Sequence, residues 1–188
     1  MRTPCVGVLA ALLLVATSFA AEIEGVKLAD KAQVGDAELV LNGAGVRTRF
    51  FFRVYVGALY LQKKAGRAEA VLGDAGTKRI AMHMLREVTA ARLYAGLEEG
   101  IRDNSPAEQV DQFGPQMKQF QGIFEAVKAA RAGDIFFLDY TPGSGTRVVV
   151  NGETKGTIAG EEFHRALLRI WLGEQPVDAS LKKAMLGG

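Results

Sequence analysis

Cysteine is all but absent from this chain: Cys5 is the only one, and it precedes an apolar run at residues 6–15. A lone thiol ahead of the domain excludes intrachain disulfides and leaves nothing for thiol catalysis. Histidine is nearly as scarce. His83 sits in an alternating pattern and His164 in a helical one, and neither has a second ligand at the close spacing of a zinc or iron site. No metal is expected. The charges nearly cancel, 23 Lys+Arg against 21 Asp+Glu, and no basic tract gathers them. The chain therefore lacks the electrostatic footprint of a nucleic-acid binder. Phosphate-cradling loops are missing too, because Gly43-Ala44-Gly45 has neither the following Lys-Ser/Thr nor the third glycine. No cofactor is expected.

What is present begins with the marks of an export signal over residues 1–20. Arg2 supplies a positive start, residues 6–15 (VGVLAALLLV) an apolar run, and Ser18-Phe19-Ala20-Ala21 a small-residue exit. That spacing places cleavage after Ala20. The run is shorter than the roughly 20 apolar residues a membrane-spanning helix needs. The expectation is a periplasmic or secreted protein with no membrane insertion after cleavage. Residues 21–188 then form a single domain, long enough for a real core.

Within that domain, residues 22–36 are polar and irregular, a first strand or arm. Residues 37–41 (AELVL) predict a strand that stops at the turn signal Asn42-Gly43. Residues 46–61 (VRTRFFFRVYVGALYL) are dense in β-branched and aromatic residues and predict one strand. Its even positions, among them Val46, Phe52, Val54, Val56 and Tyr60, predict a core face. Its odd positions carry Arg47, Arg49, Arg53 and Tyr55, and are either solvated or lining a cleft. Residues 78–85 alternate like a further strand.

Helices follow. Residues 87–103 place Ala90, Tyr94, Leu97 and Ile101 on one stripe. A helical region over 107–132 is interrupted at Gly114-Pro115, with Pro115 in the first turn of its second helix. Strands at 134–140, 146–150 and 153–158 come next, the last two joined by the hairpin signal Asn151-Gly152. An amphipathic helix at 160–171 and a short one at 177–186 close the chain. This order predicts an α+β fold on a mostly antiparallel sheet.

These segments also carry particular words: Leu41-Asn42-Gly43-Ala44-Gly45-Val46-Arg47, then Phe52-Arg53-Val54-Tyr55-Val56-Gly57-Ala58-Leu59-Tyr60-Leu61, then Gly133-Asp134-Ile135-Phe136-Phe137. With the closing helix over 163–173 and its Leu181-Lys182 tail, they resemble the chalcone isomerase-like family across residues 34–186, and its secreted bacterial branch in particular. The resemblance implies an open-faced β-sandwich: a large antiparallel sheet, a layer of helices on one face, and a ligand cleft between them. Plant members close a chalcone into a flavanone by intramolecular conjugate addition without a cofactor. Other members bind fatty acids.

The resemblance also assigns residues. Arg47 stands where the family keeps a cleft arginine, which stabilises developing negative charge in the isomerases and holds a carboxylate in fatty-acid binders. A planar two-pronged donor suits that second task; on the residues alone, Arg47 also reads as a solvated strand arginine. Tyr55 stands where the isomerases use a threonine and a fatty-acid binder is expected to place a tyrosine. Along a straight strand Arg47 and Tyr55 lie about 26 Å apart at ~3.3 Å per residue, which leaves Arg53 and Tyr55 as the pair sharing a ligand head. The family's bent hairpin would instead bring Arg47 to Tyr55. Tyr94 faces either the cleft or the core. The tyrosine, lysine and asparagine that isomerases place over the cleft fall here at Met84, Glu87 and Ala91, which cannot orient a chalcone. The expected function is non-catalytic binding of a fatty acid or similar amphiphilic carboxylate, with no catalytic residue. The alternatives are a chalcone-type intramolecular lyase and an envelope interaction protein.

Overall fold

The computed structural model describes residues 19–188; the positive start and apolar run of the expected leader, with Cys5, lie outside them. The N-terminal strands are β1 (Phe19–Ile23), β2 (Val26–Ala29), β3 (Lys31–Val34), β4 (Ala37–Arg49) and β5 (Phe52–Leu61). After α1 (Ala68–Gly73) and β6 (Lys78–Met84), the chain enters β7 (Val88–Thr89), α2 (Ala90–Asp103), α3 (Ala107–Gln112), α4 (Gly114–Val127) and β8 (Ala129–Ala130). It ends in β9 (Ile135–Thr141), β10 (Gly145–Val150), β11 (Glu153–Ile158), α5 (Glu161–Leu172) and α6 (Ala179–Met185).

Seven strands form one sheet in the order β11-β10-β9-β6-β5-β4-β3, antiparallel throughout. The helices α2 to α4 leave this sheet between β6 and β9, and the short β7–β8 pair closes the neck of that excursion. Proline and glycine punctuate the excursion as the sequence indicates, with Pro115 in the first turn of α4. The α+β layering expected from the order of elements is the one observed.

Both faces of the sheet are covered where β4 and β5 run. Toward the helices, Leu59, Ile80, Met82, Phe136 and Leu138 pack with Phe120, Phe124, Leu167, Ile170 and Trp171 in the main core. On the opposite face, Val56, Ala58, Tyr60, Leu39 and Leu41 meet Leu28 and Val34, with Ile23 and Val26 of the β1–β2 hairpin against them. The even positions Val56, Ala58 and Tyr60 of β5 are thus buried as expected, but in this smaller second core, whereas Val54 joins the main core and Phe52, expected on the core face, is exposed. Most of its odd positions form the wall under the helices. Farther along, the outer face turns polar: buried Asp139 accepts from Arg79 at 2.5 and 2.8 Å and from Arg147 at 3.2 Å.

Two local expectations fail, both in the β4–β5 region. Asn42-Gly43 does not end a strand. It is a bulge inside β4, with Leu41 opposite Tyr60 and Gly43 opposite Leu59. The reason is tertiary. The Asn42 side chain is buried, donating to Ala65 O at 3.0 Å and Met185 O at 2.7 Å and accepting from Ala65 N at 2.7 Å. A Cβ on Gly43 would lie 2.1 Å from Ala184 O, so only glycine lets α6 settle here. Residues 46–61 are likewise not one strand. The chain reverses at Phe50-Phe51, between the paired Arg49 and Phe52. Phe50 takes φ +56°, a left-handed conformation that costs a bulky residue about 1–3 kcal/mol. Turn-forming glycine or asparagine is missing there, which is why the pattern reads as continuous strand. Residues 22–36, expected to be a first strand or arm, hold the end of β1 and the whole of β2 and β3.

His164 on α5 is buried, with Nδ1 3.0 Å from Thr146 Oγ1 and its ring stacked on Tyr140 at 4.0 Å. Burial, then the nearby Lys78 and Arg165 charges, push its pKa down to about 3.

Two outcomes follow from these contacts. Gly43→Ala should destabilise by about 1–3 kcal/mol through the forced overlap with α6. Gly122→Ala, in an open stretch of α4 with nothing within 4 Å of the new methyl, should stabilise by about 0.5–1 kcal/mol. Urea unfolding checks both signs. Because folded His164 resists the proton that the unfolded chain accepts near pH 6.5, stability should fall as pH drops below 6.5. The slope should approach about 1.4 kcal/mol per unit before the carboxylates titrate. His83, also held low by burial, adds in the same direction. His164→Gln should flatten the slope of urea midpoint against pH between 6.5 and 4.5.

Candidate functional site

The hairpin that sequence patterning misses is what builds the cleft. The turn at Phe50-Phe51 folds β5 back along β4, and Arg47 comes to lie directly opposite Tyr55. A bulge between Arg47 and Thr48 pairs Thr48 with Arg53 and leaves Val54 without a partner of its own. Val54 and Tyr55 therefore both reach the helix side, where they join the main core. The 26 Å separation of a straight strand does not arise, and the Arg47 guanidinium carbon is 5.7 Å from the centre of the Tyr55 ring.

Around this pair lies a cleft of about 310 Å³, bounded by the β4–β5 tip, the segment after β6 and the first turns of α2. That volume is at the small end of ligand sites. Its apolar wall includes Val54, Val88, Leu93, Leu97 and Val177. Arg47, Arg49, Arg86 and Arg92 line it against a single acid, Glu87. Among the described residues none of these four arginines is within salt-bridge distance of a carboxylate. The N-terminus of α2 adds to the positive side. Thr89 caps it by accepting from Arg92 N, and its first turn holds no acidic residue.

Tyr55 is the buried end of the site, 2% exposed. Its hydroxyl oxygen accepts from Trp171 Nε1 at 2.9 Å, so the tryptophan of α5 fixes the phenol and leaves its proton free to be donated. Burial pushes the Tyr55 pKa up to about 12, against the opposing pull of Arg47. At neutral pH the group is a donor, and it is no base. Arg47 is half-buried, and its Nε is fully shielded with no hydrogen-bond partner. A buried, unpartnered donor on a charged group is costly. Both residues line the cleft, and each carries a donor that no group among the described residues accepts.

The other two sequence candidates lie elsewhere. Arg53 is exposed on the opposite side of the hairpin and ion-pairs with Glu24 of the β1–β2 turn. Tyr94 is half-buried against the edges of Phe120 and Phe124, its hydroxyl 3.4 Å from Met117 O, and it does not line the cleft. Of the positions matched to isomerase polar groups, Met84 is buried in the core and Ala91 is exposed away from the cleft, while Glu87 lines it. Sequence reasoning missed Arg86, Arg92 and Trp171 as site residues. The alternation of apolar and charged residues around the start of α2 held a signal for the first two. For Trp171 no sequence signal separates a partner of Tyr55 from ordinary core.

An antiparallel sheet carrying helices on one face, with an arginine-lined cleft between them, is an open-faced sandwich. A family model described as chalcone isomerase-like matches residues 20–187, and the chain belongs to that family. The crystal structure of a fatty-acid binding protein from Arabidopsis thaliana shares the fold. It has a TM-score of 0.64 at 17% identity, covering 88% of this chain and 95% of that one. No curated protein sequence matches the chain.

Removing the phenol oxygen should be felt through its partner. Tyr55→Phe leaves Trp171 Nε1 buried without an acceptor and should cost about 1–3 kcal/mol in thermal or urea unfolding.

Proposed function

We propose that the cleft binds a fatty acid or similar amphiphilic carboxylate without transforming it. The observation that carries this reading is Arg47, its Nε shielded and unpartnered, set 5.7 Å from the ring of Tyr55, whose hydroxyl proton has no acceptor among the described residues. A carboxylate accepts from both, and a charge-assisted bond to arginine is among the stronger hydrogen bonds available. Val54, Val88, Leu93 and Leu97 then face the hydrocarbon. The Arabidopsis neighbour lends support only at the level of the fold, since function follows the site.

A chalcone-type lyase draws less support. Met84 and Ala91 bring no polar atom to the cleft, and the Tyr55 phenol stays protonated far above neutrality. The leader read in residues 1–20 favours a periplasmic or secreted setting, where such a protein would hold or ferry lipid-derived acids.

Native mass spectrometry of the purified protein should reveal a co-purified acyl acid. Displacement of a fluorescent fatty acid should show Arg47→Ala weakening affinity about tenfold or more. An empty protein that takes up no fatty acid at micromolar concentration would sink the proposal. Acceleration of chalcone cyclisation that depends on Arg47 would replace it with the lyase reading.

A further inference from the structure

The tip of the β4–β5 hairpin is unlike the rest of the surface. Phe50, Phe51 and Phe52 are 83%, 96% and 58% exposed, the only large apolar side chains left open among the described residues. They are consecutive, and they sit on a tight turn in which Phe50 is held at φ +56°. Glycine or asparagine would form such a turn with less strain, so turn formation does not account for the aromatic residues.

Cations surround the tip. Arg49 precedes it on β4, Arg86 lies over the Phe52 ring at 4.3 Å, and Arg92 stands on the first turn of α2. These three have no carboxylate partner among the described residues. Glu87 is the one acid lining the same cleft, and Arg53 is already committed to Glu24. Exposed aromatics ringed by unpaired arginines complement one kind of surface: an apolar layer beneath a layer of negative charge. Aromatic side chains partition to the interface of a bilayer, and arginines near the surface are drawn to anionic lipid. A negatively charged protein partner would match the arginines but would give the three phenylalanines no apolar layer to enter.

We propose that this tip docks on the surface of an anionic phospholipid bilayer. Phe50, Phe51 and Phe52 enter the acyl boundary while Arg49, Arg86 and Arg92 meet headgroup phosphates. Phe50 and Phe52 also line the cleft, so docking sets the mouth of the cleft against the membrane. The proposal stands whether or not the ligand is a fatty acid.

The test is flotation with phosphatidylcholine vesicles, with and without phosphatidylglycerol, comparing the full chain with Phe51→Asp and Phe51→Ser prepared in the same way. Phe51 does not line the cleft, and at 96% exposure its replacement leaves packing intact. The parent protein should float with the anionic vesicles, and less so as salt is raised. Both variants should lose about tenfold or more in partitioning, with circular dichroism and fatty-acid uptake from solution unchanged. Equal flotation of parent and variants would overturn the proposal, as would a parent that ignores anionic vesicles. A parent dimer that the variants convert to monomer, with no change in vesicle binding, would assign the tip to a second copy instead. Uptake of fatty acid without vesicle binding leaves the ligand reading standing and removes this one; vesicle binding without uptake does the reverse.

Discussion

Reversal of the chain at Phe50-Phe51 places Arg47 opposite Tyr55, and the other parts of the site are built on that pairing. A one-residue slip of either strand would turn its side chain to the opposite face and part the two. Several contacts hold the register. Tyr55 is tied to α5 through Trp171, and Thr48 N donates to Asp178, the residue that also caps α6. Gly45 and Gly57, opposite each other in the ladder, leave room for Leu181, Ala184 and Met185 to press onto the strands. The absence of side chains on β4 and β5 is therefore as much a part of the site's construction as Arg47 itself. It lets α6 lie close enough for Asp178 to reach the strand.

Electrostatics decide what the cleft is suited to hold. Four guanidiniums, of Arg47, Arg49, Arg86 and Arg92, share the lining and repel one another. Glu87 offsets one of them. Tyr55 cannot offset another, because burial pushes its pKa up to about 12 and leaves the phenol protonated at neutral pH. The remaining imbalance favours an anion, and the shielded Arg47 Nε gives that anion a preferred place. Arranged around a neutral ketone, the same groups would still polarise the carbonyl oxygen. With Met84 withdrawn into the core, however, much of the substrate's length would meet only apolar wall. The arrangement is better matched to one charged head and a hydrocarbon tail.

Much of this was legible in the sequence. The order of strands and helices, the break at Gly114-Pro115 and the hairpin at Asn151-Gly152 were readable because each rests on a local rule. So was the pairing of Arg47 with Tyr55 once the resemblance supplied a bent hairpin. The failures have a common physical origin: tertiary contacts overrode local propensity. Asn42-Gly43 has the composition of a turn but is buried by Ala65 and α6. Phe50-Phe51 has the composition of a strand but forms the turn. Arg53 and Arg47, equivalent in a period-two pattern, are driven to opposite faces by the bulge at Val54. A bulge changes the parity of every residue beyond it, and nothing in one sequence marks where that change occurs.

The strained turn and the cleft share a boundary, since Phe50 and Phe52 belong to both, so the proposed ligand would enter beside the proposed docking surface. An amphiphilic acid resides mainly in membranes because its hydrocarbon tail is poorly hydrated. A cleft whose mouth faced water would require that tail to cross solvent before reaching Leu93 and Leu97. Phenylalanines on the rim provide apolar surface along the approach, and the arginines beside them attract the head first. The head, met first by Arg49 and Arg86 beside the exposed tip, would then pass to Arg47 and the buried Tyr55, exchanging one guanidinium for another while the tail follows along the apolar wall. On this path neither end of the ligand is left without a complementary partner. If both proposals hold, that continuity would give the exposed, conformationally costly tip a reason to consist of phenylalanine rather than the glycine or asparagine its backbone would more easily accept.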